Sequence, residues 1–121
     1  MTLLELLSGV RSVLNGVAPA FIRDAVPRDA NGKSVLPERC IIIDVIIDSK
    51  RQDFQDVYSS LLIQVGCWST TVVEALEDLD AVHAALRGLV IGTAEFSMVR
   101  INGTQTDGKY RGVTADFTTL Y

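Results

Sequence analysis

The run CIIIDVIID, from Cys40 to Asp48, constrains this chain most. It is β-branched, nearly continuous and broken by aspartates. It is also far too short to span a bilayer, which takes about 20 apolar residues. A run of this kind is stable as a central strand covered on at least one face, here Cys40 to Ile47. A sheet must therefore be found for it. Tyr58 to Trp68 supplies a second strand, with Leu61, Ile63, Val65 and Cys67 on one side. The charged stretch SKRQDFQD, Ser49 to Asp56, is expected to be the connection between them.

Two further strands are expected at Glu95–Asn102 and Tyr110–Tyr121, joined at the turn signal Asp107-Gly108. The last alternates Val113, Ala115 and Phe117 against Thr114, Asp116 and Thr118. A short strand is expected at Ala20–Val26, between Pro19 and Pro27. Arg28–Glu38, rich in Asn, Gly and Pro, reads as a long hairpin tip or a mobile loop.

Helical period appears twice. Leu3, Leu6, Leu7, Val10, Val13 and Leu14 share a face behind the cap residue Thr2, and Asn15-Gly16 is the stop. Val72, Leu76, Leu79, Val82 and Leu86 form the second stripe. Thr71 and Glu74 stand in capping-box spacing, and Gly88 lies past the end. The fold class is α+β: a largely antiparallel mixed sheet of four to five strands, with two helices packed on one face. The chain has 121 residues, 48% of them hydrophobic, which suits one core and a single domain over 1–121. No internal repeat or long linker divides it.

The stretch VGCWSTTVVEALEDLDAVHAALRG holds Cys67, Ser69, Asp80 and His83, the side-chain types of a nucleophilic hydrolase. Geometry argues against that reading. Cys67 sits at a strand end, and the following helix folds back along the sheet. His83, about 12 residues into that helix, travels roughly 18 Å from it and ends near Ser60 or Leu61. A nucleophile and its base need about 3 Å. His83 also lies in the apolar stripe, where a packed histidine is the ordinary outcome, with Asp80 as its partner. GCWS is not a nucleophile elbow, and its acidic surroundings do not activate a thiol. The chain is therefore expected to have no catalytic residues.

Glu74, Glu77, Asp78 and Asp80 are expected on the solvent half of the second helix, near its N-terminus, where the dipole favours acids. Without histidines at ligand spacing they make no transition-metal site. No phosphate-cradling glycine motif is present, so no cofactor is expected. If the two long strands pair as a hairpin, Cys40 falls near Gly66 or Cys67. Both thiols should stay reduced in a cytoplasm. The N-terminus has no basic start and carries Glu5 in its apolar stretch, a poor signal peptide. Lys plus Arg number 11 and Asp plus Glu 15, a net charge of −4. That excess argues against a general phosphate-binding surface.

The stretch IDVIIDSKRQDF…LLIQVGCWSTTVVEALEDLDAVHAALRG, then a strand with Phe96 and Arg100, then DGKYRGVTADFTTLY, resembles the tail terminator (tail completion) proteins of long-tailed bacteriophages and prophages. The likeness lies in a strand I-Q-V-x-C-W-S leading into the second helix, in Ala-Leu-Arg-Gly at 85–88, and in Tyr110-Arg111-Gly112-Val113 opening a last strand with almost nothing after it. It covers nearly the whole chain and rests on arrangement, not invariant residues. The resemblance implies a non-enzymatic virion protein, made in the host cytoplasm, at the head–tail joint. It implies a homo-oligomeric ring, expected to be a hexamer, that caps the tail tube protein and receives the head-closure or connector protein. Double-stranded DNA passes through its lumen without specific binding, and no membrane is involved. A ring needs two different faces of one subunit. The candidate interface residues are Asp29, Asn31 and Lys33 in the long loop, Lys50, Arg51 and Asp53 in the charged connection, and Tyr121 at the exposed end. The rival readings are another neck or head-closure subunit, and a small cytoplasmic dimeric module with a ligand between sheet and helices.

Overall fold

The structure, a computed structural model, describes residues 2–52, 57–92 and 94–120. Helix α1 (Leu3–Leu14) starts at a complete capping box. The Thr2 hydroxyl accepts from the Glu5 backbone N–H, and the Glu5 carboxylate accepts from the Thr2 N–H. It ends at Asn15, whose side-chain oxygen accepts from the Ala20 N–H and so aims the chain into the sheet. Helix α2 (Val72–Leu86) is capped by Thr71, which accepts from the Glu74 N–H. It stops before Gly88, whose φ of +70° takes the left-handed conformation that favours glycine.

The strands are β1 (Ala20–Ile22), β2 (Cys40–Gln52), β3 (Val57–Ser69), β4 (Val90–Ile91), β5 (Ala94–Glu95), β6 (Ser97–Asp107) and β7 (Tyr110–Leu120). Five form one mixed sheet in the order β1-β2-β3-β7-β6, and β4 and β5 make a separate short ribbon. Only the β1–β2 pairing is parallel; the other three are antiparallel. The α+β class, the mixed sheet and the helix pair therefore match the pattern of the sequence.

Both helices cover one face of the sheet. Leu6, Val10 and Leu14 of α1 and Leu79, Val82 and Leu86 of α2 close on Ile41, Ile43, Leu61, Ile63, Val65, Cys67, Val113, Ala115 and Phe117. Each of these is almost completely buried. Burying one large aliphatic or aromatic side chain stabilises a fold by about 1.5–3 kcal/mol, so this layer dominates the stability. Among the described residues, no helix is long and apolar enough to cross a membrane.

The expected boundaries and register need correction in four places, one being the strand expected at Glu95–Asn102, which is β6, Ser97–Asp107, with Glu95 in the separate β5. The charged stretch Ser49–Asp56 is not wholly a connection, because β2 continues through Gln52 and pairs Lys50 with Ser59 and Arg51 with Tyr58. The expected strand Ala20–Val26 is a strand only to Ile22, and Arg23–Ala25 then forms a 3-10 turn. Cys40 stands opposite Trp68, not Gly66 or Cys67, while Ile41 faces Cys67. Both thiols are free and buried.

On the face away from the helices, Trp68 lies across two glycines. A methyl group built on Gly66 would meet the indole nitrogen at 2.7 Å, and one on Gly112 would meet ring carbon Cδ2 at 2.6 Å. These glycines are the slot in which the indole lies. Tyr110 stands at the start of β7, and its hydroxyl donates to the carbonyls of Leu36 (3.0 Å) and Pro37 (3.1 Å). That bond ties the long loop down over this end of the sheet.

Candidate functional site

The residue types of a nucleophilic hydrolase are not brought together. Cys67 is opposite Val113, and Ile63 is opposite Phe117. His83 lines an open cleft of about 410 Å³ with Arg87, Glu95, Phe96, Met98 and Phe117. Val113 and Phe117 are four residues apart on one strand, roughly 13 Å. The imidazole and the thiol thus lie at separate rows of the sheet. Burial, with a smaller push from the Asp78 carboxylate, raises the Cys67 thiol to about 12. The same two causes raise Cys40 to about 11. A neutral, enclosed thiol is a poor nucleophile. The expected Asp80–His83 partnership is not among the hydrogen bonds of the described residues, and Asp80 is exposed.

Sequence reasoning missed one cluster. Asp78 does not face solvent; it is 4% exposed. Arg39, next to the start of β2, grips it with two bonds of 2.9 Å, from Nε to Oδ2 and from Nη2 to Oδ1. The same guanidinium reaches Glu74 at 3.2 Å and Glu77 at 3.5 Å. The bond to Asp78 holds the already high Arg39 pKa higher still. The acids gather at the helix N-terminal half as expected, but they serve as a socket that fastens the loop exit to α2. The signal available in the sequence was the lone arginine at the end of a polar loop. Its partner lies 39 residues on, beyond the reach of local pattern.

A second network was likewise hidden. Asp116, 3% exposed, sits on the face away from the helices. It accepts from Arg100 Nε (2.7 Å), Asn102 Nδ2 (3.1 Å) and Gln64 Nε2 (3.5 Å). Burial pushes this carboxyl up, but the bonds from Arg100 and Asn102 outweigh it, and its pKa falls below the usual value. Asp44 binds Arg23 through two 2.9 Å bonds in the same row of the sheet, since Asp44 faces Gln64, Gln64 faces Asp116, and Asp116 faces Arg100. The alternation in β7 puts Asp116 on the side opposite Val113, Ala115 and Phe117. It is on that side, yet enclosed by its own partners.

The candidate interface residues fall into three groups. Asp29, Asn31 and Lys33 are exposed on a tip with local bonds of its own. Arg28 and Ser34 bridge its base. The Asp29 carboxylate accepts from the N–H groups of Asn31 (2.9 Å) and Lys33 (3.0 Å), and Gly32 takes φ +80°. Lys50 and Arg51 belong to strand β2. Asp53 and Tyr121 lie outside the described residues.

The sheet is open at two flanks. β1 covers β2 only at Ile41–Ile43. Among the described residues, nothing pairs with β2 on that side from Asp44 onward. At the other flank β6 is the edge strand. Unpaired edges are ready-made pairing sites.

No family model matches the sequence. No curated protein matches it either. The fold does match. A chain from the virion of a native gene transfer agent particle superposes with a TM-score of 0.57 at 14% identity, covering 90% of this chain and 84% of that one. The fold is thus one that a virion particle uses, matched along nearly its full length.

Proposed function

We propose that this chain is a structural virion protein, a ring-forming tail terminator that caps the tail tube and joins it to the head connector. The observation that carries the reading is the fold match to a virion chain across 90% of this chain. Three features support it. The thiol is buried and unactivated, and the imidazole stands apart from it. The middle of the layer between sheet and helices is filled by side chains, and the cleft beside His83 opens only at its margin. Two unlike open edges provide the heterologous surfaces that a ring requires. The partners of the ring are the tube protein on one side and the head-closure protein on the other. The exposed loop tip at Asp29–Lys33 and the part of β2 that carries Lys50 and Arg51 are the proposed points of contact with them.

Particles assembled without this protein test the reading. Negative-stain images should show tails of uncontrolled length, or finished heads and tails that fail to join. Joined particles with normal tails and normal infectivity would end it. A neck subunit other than the terminator would give tails of correct length that remain unjoined.

A further inference from the structure

Resting on the reading that copies of this chain assemble, we propose that they join edge to edge. The start of β6 in one copy pairs antiparallel with the uncovered half of β2, from Asp44 onward, in the next copy. Three independent observations meet here.

The first is strand direction. β2 runs opposite to β3, β3 opposite to β7, and β7 opposite to β6, so β2 and β6 point in opposite senses. Rotation about an axis along the strands preserves those senses. A neighbour placed by such a rotation therefore presents its β6 antiparallel to β2 with no further adjustment.

The second is level. Val45 faces Ile63, Ile63 faces Phe117, and Phe117 faces Met98. The row below on the same face runs Ile43, Val65, Ala115 and Ile101. β1 stops covering β2 at Ile43. The stretch of β2 left bare begins at Asp44, level with Arg100, and reaches Ile47, level with Ser97, so the first four residues of β6 stand level with bare β2, and a closed ring permits no net rise from copy to copy.

The third is apolar surface. Val45 and Ile101 both point to the helix-bearing face, at its two opposite margins and one row apart. They are 40% and 57% exposed. Their neighbours Ile46 and Val99 are also exposed. Each margin is incomplete alone, and each has what the other lacks: an apolar strand flank one strand-width away. Joining them continues the core face from copy to copy. It also brings the Arg100–Asp116 pair of one copy beside the Arg23–Asp44 pair of the next on the other face. The contact uses two different surfaces of the chain, so it closes into a ring or runs on as a filament, and does not stop at a dimer.

Cross-linking tests this. A chain carrying both Val45→Cys and Ile101→Cys is treated with a short bifunctional maleimide. The native Cys40 and Cys67 are buried and stay silent. The expected result is a covalent ladder from the double variant, heterodimers from a mixture of the two single variants, and no product from either single variant alone. Ile101→Lys should abolish multimers in sedimentation, and Ile101→Leu should keep them. Dimers from Ile101→Cys alone would mean a symmetric β6–β6 contact and would overturn the joint. Multimers of the unaltered chain, with no ladder from the double variant, would overturn the joint while leaving the ring. A chain that is monomeric throughout, with no cross-link, would count against both.

Discussion

Asp116 is the residue at which local chemistry is most opposed to its surroundings. Its carboxylate is enclosed, yet bonds from Arg100 and Asn102 more than offset the burial and lower its pKa. A carboxyl lowered in the folded state contributes stability that is present above its unfolded pKa, about 3.9. That stability is lost as pH falls through the folded value. Denaturant titrations at neutral and acid pH should show Asp116→Asn less stable than the parent near neutrality, with the gap closing under acid. The cysteines have the opposite sign. Cys67 is raised to about 12 and Cys40 to about 11, by burial first and the Asp78 carboxylate second. Their contribution is complete below the unfolded thiol value, about 8.5, and is lost as pH rises toward the folded ones. A thiol reagent at mildly alkaline pH should leave native protein untouched and label both cysteines once denaturant is added. Fast labelling of the native chain would contradict the burial.

Elements differ in how far the sequence announces them. α1, β3 and β7 have one face in the core, and burial writes a period of 3.6 or 2 into such segments. The extension of β2 to Gln52 was hidden for a physical reason. Beyond Ser60, which pairs with Leu120, β7 has ended, and the β2–β3 ladder continues with only two strands. Among the described residues no third strand pairs with it there, and with charged residues and no apolar period to mark it, Lys50 and Arg51 read as loop. The shortness of β1 was hidden as well, because the 3-10 turn at Arg23 is stabilised by Asp44, 21 residues away. Arg39 and Asp78 make the same point for the helix: alone, each reads as surface charge. The glycines beneath Trp68 are the sharpest test at this scale. Gly112→Ala would press a methyl group into the indole within β7, between two neighbouring strands. Overpacking of this type costs about 1–3 kcal/mol, read as a lower denaturant midpoint. Gly66→Ala should act in the same direction. A Trp68→Leu background, which empties the slot, should make Gly112→Ala nearly neutral.

For the whole molecule, the separation of roles follows from the layering. One face of the sheet is spent on the helices and the core. Under the proposed function, what remains for assembly is the flanks and the loop tip. The acid excess, −4 overall, bears on nucleic acid. Affinity for a duplex comes from cations that neutralise phosphates. Even at about 50 mM salt, where such binding is strong, duplex DNA should migrate past this protein unretarded. A retained complex would mean that assembly gathers basic groups which the isolated chain disperses. The placement of the single tryptophan has a practical consequence. Its ring rests on the helix-free side, beside Tyr110 and the tethered loop. Intrinsic emission from this chain therefore watches one surface only: a ligand or subunit settling there shifts the spectrum, and one that settles over the helices leaves it dark to the observer.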